Sequence, residues 1–508
     1  MIIVSITGST MQEALAQVAC SSPYADMFEF RLDLMMKPNI ARLLASTKKP
    51  TISTCRPERE GGGFGGTERE RIGLLELASV YGAQYVDIEL NSSPSVIADF
   101  VRHRKESKVI ASCHLLDGTL FEVGRVYEAL RATGADIIKL AYQGEDAFEN
   151  HLAFEFLGKA KSDRQQAVAM MLGDAGEPSR VLYKKYGGWA TYASTEDGKV
   201  ATPGQIPASL LKTVYCADKL TAATRVFGVV GNPVRQSKGI FLHNPLFRRA
   251  RKNAVYCRFQ TSDIDKFVRF LVPHLSGFSI TLPHKQSVMS YLDQVDPAAR
   301  AIGAVNTVIR RGKKLVGSNS DAPGALDAIE RVVKVRGKKM LILGAGGAAR
   351  AIAYEAKQRG AEVVISNRTA RKGQDFAGEF GLGFVKWGKF AGVVFDILVN
   401  ATLIGMVPDV NKTPVPKSIL RNKIVFDAVY NPPITRLLRE AKSQGAKIIQ
   451  GTEMYINQAA RQSELYTGRK PETSLMRQIL GENKRSKILI RNLPCSLPAP
   501  IGTVSQTS

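Results

Sequence analysis

Residues 134–141, GADIIKLA, place one lysine, Lys139, inside the otherwise apolar run IIKLA (137–141). A strand of a parallel sheet that is covered on both faces reads as a continuous apolar run, and an unpaired ammonium inside it costs several kcal/mol. One interpretation is that Lys139 extends its ammonium from the strand end to water. The other is that the lysine is buried because its chemistry requires it, and the neighbouring strands favour this second interpretation.

Seven further β-rich runs accompany this one at intervals of roughly 20 to 30 residues, and helical patterns such as TERERIGLLELASVYG (67–82) lie between them. The eight runs are IIVSI (2–6), MFEFRLD (27–33), TISTCR (51–56), YVDIEL (85–90), VIASCH (109–114), DIIKLAY (136–142), VAMMLG (168–173) and WATYAS (189–194). Eight β/α units in about 215 residues have the size and rhythm of a TIM barrel. We therefore predict a (β/α)8 barrel over residues 1–218.

Polar and charged residues stand at the C-terminal ends of these predicted strands, where the active sites of TIM barrels form. They are Glu29, Arg31, Arg56, Glu89, His114 and Lys139. Taken singly, each has an ordinary explanation as an exposed cation, a solvated acid or a core histidine. Six such groups on successive strands favour one shared site.

The lysine in this set is a nucleophile only when neutral, and its usual pKa near 10.4 is a handicap of roughly 4 kcal/mol at neutral pH. We expect burial and the neighbouring arginines, Arg180 among them, to lower the pKa of Lys139, which then becomes a candidate Schiff-base lysine. His114 can transfer protons at the activated carbon, with Glu89 orienting it. The arginines would bind an anionic substrate through its carboxylate.

Residues 1–215 resemble the type I 3-dehydroquinate dehydratases. The matching motifs are EFRLDL (29–34), TCR (54–56), DIEL (87–90), SCH (112–114), IIKLA (137–141), the segment around Ser179 and Arg180, and PGQ (203–205). The resemblance implies that Lys139 forms an imine with the substrate ketone, that His114 is the general acid and base for a syn loss of water, and that Glu89 is the partner of His114. It implies a substrate-binding set of Glu29, Arg31, Arg56, Arg180 and Gln205.

The polar, Gly-containing segment EDGKVATPGQ (196–205) is expected to be a lid that excludes water. The dehydratase family often has Ser-Ala-Pro-Gly-Gln where this chain has Ala201-Thr202-Pro203-Gly204-Gln205. A hydroxyl contact from the lid therefore depends on whether Thr202 replaces the family's serine.

The second half of the chain begins with a new strand pattern, RVFGVVG (225–231), after a predicted helix and polar linker at 208–224. Further on, KKMLILGAGGAARAIAYEAKQRGAEVVISNRT (338–369) has the pattern of a strand, a Gly-rich turn, a helix and a second strand. This order is the context that a dinucleotide-binding fingerprint requires. The alternative is a tight turn that binds no ligand.

Glycines in this turn allow the backbone to approach a pyrophosphate, and the helix N-terminus supplies N–H donors to it. The second strand ends in Asn-Arg-Thr instead of the acid that binds an NAD ribose, and an arginine binds the 2′-phosphate that an acid would repel. The pattern therefore predicts NADP as the cofactor, with Arg350 expected to add charge beside the phosphates. The predicted cofactor-binding residues are Gly344, Gly346, Gly347, Ala348, Asn367, Arg368, Thr369 and Lys372.

Residues 225–482 resemble shikimate dehydrogenase through seven motifs in order: GNPVRQSK (231–238), SITLPHK (279–285), GAVNT (303–307), GSNSDAPG (317–324), NATLIGM (400–406), DAVYNPP (427–433) and GTEMYINQAA (451–460). The resemblance implies Lys285 and Asp321 as the catalytic pair. It implies substrate binding by Ser237, Thr281, Asn306, Tyr430 and Gln458.

Two features of this second half leave alternatives open. From the residues alone, Asp321 could instead cap a helix that begins near Pro323, and Lys285 could be a cation at a helix start. Where the family commonly has Ser-Lys-Ser, this chain has Ser237-Lys238-Gly239, so one hydroxyl that would contact the substrate carboxylate is missing.

The two resemblances name consecutive reactions, so we predict a bifunctional enzyme of the shikimate pathway with an α/β architecture. It would dehydrate 3-dehydroquinate to 3-dehydroshikimate and reduce that product with NADPH to shikimate. The alternatives are quinate as substrate of the second site, or a ligand-sensing regulator built on the same folds. The predicted domains are a barrel (1–218), a substrate-binding domain (225–323, completed by helices from about 454–482), a Rossmann-type domain (324–453) and a disordered tail (483–508).

Composition restricts the partners. The formal net charge is +24, and the basic surplus lies in the second half without forming one stripe with interleaved aromatic residues. Attraction of anionic metabolites is the simpler explanation, so we expect small-molecule partners and no nucleic acid. No apolar run is long enough to span a bilayer, the first residues resemble a strand more than a targeting peptide, and six dispersed cysteines favour reduced thiols. We expect no metal, no membrane partner and a cytoplasmic location.

Overall fold

A computed structural model describes residues 1–102, 107–118, 121–390 and 392–481. The chain divides into two compact units, of which the first is Met1–Leu275 and the second begins at Ser276. The tail for which the sequence predicts disorder lies outside the described residues. Within the described ranges, no helix is both long enough and apolar enough to cross a membrane.

The first unit contains a parallel sheet of nine strands in the order β7-β6-β5-β4-β3-β2-β1-β8-β9. The strands are β1 (Ile2–Ile6), β2 (Met27–Arg31), β3 (Thr51–Thr54), β4 (Tyr85–Glu89), β5 (Lys108–Leu115), β6 (Ile137–Gln143), β7 (Gln166–Leu172), β8 (Thr191–Ser194) and β9 (Ile206–Pro207). All eight predicted strands are confirmed, and β9 is a short addition that the sequence pattern did not indicate.

The sheet curls back on itself. Strand β1 lies between β2 and β8, and the N–H of Trp189, just before β8, donates to the carbonyl of Ala167 in β7 at 2.8 Å. The register places Glu89 beside Ser112 and Ser112 beside Lys139 on the neighbouring strands β4, β5 and β6. Parallel pairing therefore brings the predicted strand-end residues to one end of the curled sheet.

Helices follow most of these strands: α1 (Met11–Ser21), α2 (Ile40–Ala45), α3 (Glu68–Val80), α4 (Pro94–Arg102), α5 (Val123–Ala132), α6 (Asn150–Ser162), α7 (Glu177–Leu182) and α8 (Ala208–Leu210). Helix α3 confirms the helical pattern at 67–82, and its start is fixed by a capping box between Thr67 and Glu70. The helix expected in 208–224 is shorter than predicted, because α8 passes into a π-helical turn at Leu211–Tyr215.

The rest of the first unit consists of β10 (Arg225–Gly231), α9 (Gly239–Arg249), β11 (Ala254–Gln260) and α10 (Ile264–Phe270), with β10 and β11 paired in parallel. This segment packs against the barrel. Arg248 donates to the carbonyl of Val214 at 2.8 Å, and the rings of His151 and Phe270 stack with centroids 4.3 Å apart.

The second unit begins with short strands, β12 (Gly277–Ile280), β13 (Gln294–Val295), β14 (Thr307–Arg311) and β15 (Lys314–Ser318), and continues with a parallel sheet. The strands of that sheet are β16 (Lys339–Leu343), β17 (Glu362–Asn367), β18 (Gly383–Lys386), β19 (Ile397–Asn400), β20 (Ile424–Asp427) and β21 (Lys447–Gln450). Their order, β18-β17-β16-β19-β20-β21, is that of a Rossmann fold and reverses direction at β16, where dinucleotides bind.

Helices cover both faces of this sheet, and each face has its own apolar cluster. The helices of the second unit are α11 (Pro297–Ile302), α12 (Asp321–Glu330), α13 (Gly347–Gln358), α14 (Ala370–Phe380), α15 (Arg436–Ser443), α16 (Gly451–Thr467) and α17 (Thr473–Leu480). The predicted strand, turn, helix and strand of residues 338–369 are thus confirmed as β16, α13 and β17.

The cysteines differ in part from the expectation of reduced thiols. Cys20, Cys55, Cys113 and Cys257 are free, as expected. Cys216 is disulfide-bonded, so the expectation is wrong at this position.

Candidate active sites

Lys139 lies in the middle of β6 with only 6% of its side chain exposed. Its Nζ donates to Asp87 Oδ2 at 2.8 Å, lies 3.9 Å from Glu29 Oε1 and stands 4.3 Å from the centre of the Tyr192 ring. The interpretation in which the ammonium extends to water is therefore excluded. The lysine is inside the barrel and is paired there with a carboxylate.

Asp87, the acid partner of this lysine, was not singled out from the sequence. It is fully buried and accepts from Ser112 Oγ at 2.6 Å, and Arg56 Nη2 lies 3.2 Å from its Oδ2. Burial acts to raise the pKa of Asp87, but the charges of Arg56 and Lys139 outweigh it and hold the pKa below its ordinary value. Asp87 is two residues before Glu89 on β4, so both side chains point to the same face.

Glu89 also lies in this buried network, but its observed bonds are to arginines. Arg56 Nη1 donates to Glu89 Oε1 at 2.8 Å, and Arg71 Nη1 donates to Glu89 Oε2. Arg71 comes from α3, is fully buried, and also donates to the Cys55 carbonyl at 3.2 Å. Glu89 therefore holds two guanidinium groups in place beneath the site.

The acid at hydrogen-bond distance from His114 is Glu60, which the sequence analysis missed. His114 Nδ1 lies 3.0 Å from Glu60 Oε2 and 3.2 Å from Arg56 Nη1. Burial, followed by the charges of Arg56 and Lys139, lowers the pKa of His114 well below its ordinary value, so its imidazole is neutral. Burial, helped by the charge of Glu89 and opposed by Arg56, raises the pKa of Glu60 to about 7.

Glu60 reaches the site because the Gly-rich loop after β3 folds back on itself. Phe64 N–H donates to the carbonyl of Arg56 at 3.1 Å, and Gly63 N–H donates to Asp33 Oδ2 at 3.0 Å. A Cβ at Gly62 would lie 2.0 Å from the Arg56 carbonyl oxygen, so only glycine fits there. No periodic pattern marks such a loop, although its glycines signal a tight fold of the backbone.

Glu29 and Gln205 meet through one hydroxyl group. Glu29 accepts from Ser5 Oγ at 2.6 Å and from Thr54 Oγ1 at 2.9 Å. Gln205 Nε2 donates to the same Ser5 Oγ at 3.3 Å, and Gln205 Oε1 accepts from Ala201 N–H at 2.8 Å. The predicted lid segment is thus joined to the base of the barrel site by Gln205.

Two predicted arginines differ in how they are paired. Arg31 forms two bonds to Asp33, at 2.9 and 2.6 Å. Arg180 is fully buried, its nearest polar contact is Met170 Sδ at 3.2 Å, and its Nε has no hydrogen-bond partner in the part of the chain that the structure describes. Burial lowers the pKa of Arg180 to about 10. A buried guanidinium without a carboxylate partner is suited to an anionic ligand.

In the second unit, Lys285 Nζ donates to Asp321 Oδ2 at 2.5 Å, as the resemblance implies. Both side chains are mostly buried, with 18% and 10% exposed. The start of α12 is capped by another residue, because the N–H groups of Asp321 and Ala322 donate to Asn319 Oδ1 at 3.0 and 3.2 Å. The interpretation of Asp321 as only a helix cap is therefore wrong.

Asn306 and Gln458 meet at Ser320, the residue before Asp321. Asn306 Oδ1 accepts from Ser320 N–H at 2.8 Å and from Thr307 Oγ1 at 2.7 Å, and Gln458 Oε1 accepts from Ser320 Oγ at 3.4 Å. The amide oxygen of Asn306 is thus occupied, so what this side chain can offer to a ligand is its Nδ2 group.

Three other predicted substrate residues lie in separate places. Thr281 directly follows β12 and is half-buried. Tyr430 follows β20, where burial raises its pKa and its ring stacks on Tyr455 at 4.9 Å. Ser237 belongs to the first unit, where its Oγ accepts from Gly239 N–H at 3.2 Å.

The Gly-rich turn after β16 fits a dinucleotide. Gly344 has a φ of +115°, and a Cβ there would lie 2.9 Å from the carbonyl oxygen of Ala401, so glycine is needed for this close approach. Gly346 has open space around its missing Cβ, and Gly347 begins α13 with Lys285 Cδ 3.3 Å from its Cβ position. Ala348 follows in the first turn of α13. A helix N-terminus with open space beside it suits a pyrophosphate, and Lys285 lies next to this turn.

The predicted 2′-phosphate residues lie at the end of β17 and the start of α14. Asn367 is half-buried and donates from Nδ2 to the Thr369 carbonyl at 2.9 Å, and Arg368, Thr369 and Lys372 are exposed. Arg350 is different, because both of its terminal nitrogens pair with Glu379 and its Nε donates to the Ile302 carbonyl at 2.8 Å. The expectation that Arg350 adds charge beside the phosphates is therefore not supported by its contacts.

Family models match four parts of the chain. They are Type I 3-dehydroquinase (residues 2–221), the shikimate dehydrogenase substrate binding domain (229–308), Shikimate / quinate 5-dehydrogenase (327–402) and the Shikimate 5'-dehydrogenase C-terminal domain (451–480). The matches follow the chain in the order of the two predicted halves.

Similar proteins include one that spans both halves. The chain is 35% identical over 489 residues to the chloroplastic bifunctional 3-dehydroquinate dehydratase/shikimate dehydrogenase of Arabidopsis thaliana, covering 90% of this chain and 80% of that one. It is 36% identical to a shikimate dehydrogenase (NADP(+)) of Shouchella clausii, over 51% of this chain and 98% of that one. A solved shikimate 5-dehydrogenase of Thermus thermophilus, in complex with NADP(H) and shikimate, is 35% identical with a TM-score of 0.46, over 50% of this chain and 97% of that one.

Proposed function

The chain belongs to the family of bifunctional 3-dehydroquinate dehydratase/shikimate dehydrogenases, and from this premise we propose which residues carry each reaction. The protein is a shikimate-pathway enzyme that dehydrates 3-dehydroquinate and reduces the resulting 3-dehydroshikimate with NADPH. The observation that supports the assignment best is the presence of two buried lysine–aspartate pairs in two separate units, Lys139–Asp87 and Lys285–Asp321.

For the first reaction, Lys139 is the nucleophile. Its amine adds to the ketone of 3-dehydroquinate, and loss of one water gives an imine that acidifies the neighbouring carbon. His114 removes a proton from that carbon and returns it to the departing hydroxyl, which leaves as water. Hydrolysis of the imine restores the lysine and releases 3-dehydroshikimate. A neutral His114 is suited to the first proton transfer, and burial supplies that neutral state.

The acids around these two residues have separate roles in this proposal. Glu60 takes the role that the sequence analysis gave to Glu89: it accepts from His114 Nδ1–H, which leaves Nε2 unprotonated as the base. Asp87 accepts from Lys139 and is the nearest carboxylate for a proton that leaves the amine. Glu89 positions Arg56 and therefore acts on the site indirectly.

Substrate binding in the barrel falls to Arg180, Arg56, Arg31, Glu29 and Gln205. Arg180 is the first candidate for the substrate carboxylate, because it is buried and its bonds to the described residues are to Met170 Sδ and to two backbone carbonyls, not to a carboxylate. Gln205 belongs to the segment 196–205 and donates to Ser5, so it would hold this segment closed over the site.

For the second reaction, Lys285 and Asp321 act together. The lysine donates a proton to the oxygen that becomes a hydroxyl, and the aspartate holds the lysine in place. NADPH supplies the hydride to the substrate ketone. Residues proposed to bind the substrate are Ser237, Thr281, Asn306, Tyr430 and Gln458.

The cofactor contacts follow from the fit of the Rossmann turn. Gly344, Gly346, Gly347 and Ala348 would lie along the pyrophosphate. The exposed cations at the start of α14 would bind the 2′-phosphate, and the residues in this group are Asn367, Arg368, Thr369 and Lys372.

We also propose the domain boundaries that the sequence indicated: a dehydratase domain over 1–218, a substrate-binding domain over 225–323 with helices from 454–482, and an NADP-binding domain over 324–453. The compartment is proposed to be the cytoplasm, with no nucleic-acid or membrane partner. A fluorescent fusion of the full chain in its own cells would check this, and accumulation in an organelle, as the name of the Arabidopsis relative implies for that protein, would contradict it.

Quinate is the second candidate substrate for the dehydrogenase site, because Gly239 stands where the family commonly has serine. The test is oxidation of shikimate and of quinate, each with NADP+ and with NAD+. We expect the highest kcat/KM for shikimate with NADP+. A higher kcat/KM for quinate with NAD+ would overturn the assignment of the second site.

A further inference from the structure

The first unit contains a buried ion pair that joins the dehydratase barrel to the first segment of the dehydrogenase half. Glu177 is the first residue of α7 in the barrel, and Arg258 is on β11. Glu177 Oε2 lies 3.2 Å from Arg258 Nη1, and the side chains are 11% and 14% exposed. Glu177 Oε1 accepts from the backbone N–H of Arg258 at 2.8 Å and from Tyr215 Oη at 2.6 Å.

The same guanidinium also donates to the backbone of Ser237. Arg258 Nη2 and Nε donate to the carbonyl oxygen of Ser237 at 3.1 and 3.3 Å. A planar guanidinium with five donors in fixed directions can bond a carboxylate and a carbonyl at the same time. Arg258 therefore fixes the distance between a carboxylate of the barrel and the backbone of Ser237.

The position of Ser237 is especially important in this chain, because the second hydroxyl that the family commonly provides is absent. Gly239 removes the second hydroxyl of the Ser-Lys-Ser pattern. Ser237 Oγ already accepts from Gly239 N–H at 3.2 Å, so its own O–H remains to donate to a substrate carboxylate. The Ser237 hydroxyl is therefore the one hydroxyl of this motif that can bind the carboxylate. Its direction depends on the Ser237 backbone, whose carbonyl accepts from Arg258.

We propose that Arg258, anchored by Glu177 of the dehydratase barrel, is a positioning residue for Ser237 in the dehydrogenase substrate site. The inference rests on the proposed role of Ser237 as a ligand of the substrate carboxylate. In this arrangement a carboxylate of the barrel helps to position a side chain that is proposed to bind the substrate of the second reaction. The fusion of the two enzymes in one chain then has a structural consequence that does not depend on transfer of the intermediate.

A second ion pair between the same two segments provides a matched control. Arg235 Nη1 lies 2.7 Å from Asp174 Oδ2, but these side chains are 75% and 44% exposed. Exposed pairs contribute little, and Arg235 makes no described bond to Ser237. Arg235→Ala therefore removes a contact between barrel and dehydrogenase segment without removing the support of Ser237.

The experiment measures shikimate oxidation with saturating NADP+ in the full-length chain, with the dehydratase reaction and the melting temperature measured in parallel. For Arg258→Ala and Glu177→Gln we expect the KM for shikimate to rise about tenfold, the size of a lost charge-assisted hydrogen bond, with kcat and the KM for NADP+ within twofold of the parent. Arg258→Lys should recover part of the loss. Added ethylguanidinium should restore the KM of Arg258→Ala, which a merely destabilised fold would not show. Arg235→Ala should leave all constants unchanged.

Ser237→Ala distinguishes the substrate-binding role of Ser237 from the positioning role of Arg258. If it raises the KM for shikimate while Arg258→Ala and Glu177→Gln do not, the positioning role is wrong and the substrate site stands. If Ser237→Ala leaves that KM unchanged, the proposed place of Ser237 is itself wrong. An equal rise in Arg235→Ala and Arg258→Ala would also overturn the proposal, since it would indicate a general loosening of the segment.

Discussion

Lys139 Nζ and Asp87 Oδ2 lie 2.8 Å apart inside the barrel, on strands β6 and β4, which flank β5. The same buried network also contains Arg56 and Glu89. A lysine buried in this way costs free energy that a neutral or aliphatic residue would not. Asp87 offsets part of this cost by pairing with the ammonium, and it is also the nearest carboxylate for the proton that leaves when Lys139 acts as the proposed nucleophile.

We expect borohydride to trap this chemistry on Lys139. Treatment of the full chain with 3-dehydroquinate and borohydride should add one reduced ligand to the peptide that contains Lys139, as measured by mass spectrometry. Lys139→Ala should give no adduct and no dehydration, yet should reduce added 3-dehydroshikimate at the parental rate, because Lys285 and Asp321 lie in another unit. Lys159→Ala, at an exposed ion pair of the same barrel, is the control. An adduct on a different lysine would contradict the assignment.

Glu60 gives the dehydratase reaction an expected pH dependence. Burial raises the pKa of Glu60 to about 7, so this carboxylate, which lies 3.0 Å from His114 Nδ1, is protonated as the pH falls through that value. The kcat/KM for 3-dehydroquinate should therefore decrease below about pH 7. Glu60→Gln should lower the plateau about 10²-fold, the lower end of the range for acid–base catalysis, and remove this limb, whereas Glu58→Gln, an exposed acid of the same loop, should change neither. An unchanged acidic limb in Glu60→Gln would show that another group titrates there.

The fold and most of this site follow from the sequence, and the exceptions have physical causes. Eight strands were predicted because parallel strands that are covered on both faces are apolar throughout, and residues at their ends converge. Asp87 could have been found, since period-2 alternation in YVDIEL places it on the same face as Glu89. Glu60 could not, because it lies in an irregular loop whose path depends on contacts such as Gly63 to Asp33.

The Lys285–Asp321 pair should be needed for the second reaction alone. Lys285→Ala and Asp321→Asn should each lower kcat for shikimate oxidation about 10²- to 10⁴-fold, the usual range for a general acid or base, while dehydration of 3-dehydroquinate stays at the parental rate. Lys412→Ala, at an exposed pair with Asp409, should leave both reactions unchanged. Loss of dehydration in Asp321→Asn would mean that the two sites are not independent.

Arg368 is expected to set the preference for NADPH. Removing a guanidinium that binds the 2′-phosphate should raise the KM for NADPH about 10- to 100-fold and leave the KM for NADH nearly unchanged. Steady-state kinetics of Arg368→Ala with both cofactors would measure this ratio. The ion-paired Arg350 points elsewhere, so Arg350→Ala should not change the ratio between the two cofactors. An equal rise of KM for both cofactors in Arg368→Ala would argue against a role in 2′-phosphate recognition.

The glycine at position 239 should not accept the family's serine. A Cβ there would lie 2.8 Å from Tyr256 Cε1, and that ring is buried and stacked on His243 at 4.4 Å. Gly239→Ser should therefore lower the free energy of unfolding by about 1–3 kcal/mol, as measured by denaturant titration, without lowering the KM for shikimate.

A helical glycine with open space provides the control for this change. Gly158 in α6 is exposed and has no neighbouring atom within 4 Å of its Cβ position. Gly158→Ala should raise the free energy of unfolding by about 0.5–1 kcal/mol. A stable Gly239→Ser variant with a lower KM for shikimate would show that Tyr256 moves aside and that serine restores the missing contact.

The most direct test of the two-site account is the conversion of 3-dehydroquinate by the purified full chain, followed through the absorbance of NADPH. We predict that one NADPH is consumed for each 3-dehydroquinate supplied, that Lys139→Ala consumes none until 3-dehydroshikimate is added, and that Asp321→Asn forms 3-dehydroshikimate without consuming NADPH. If Lys139→Ala still oxidised NADPH with 3-dehydroquinate, or if either variant lost both reactions together, the assignment of one reaction to each lysine–aspartate pair would be contradicted.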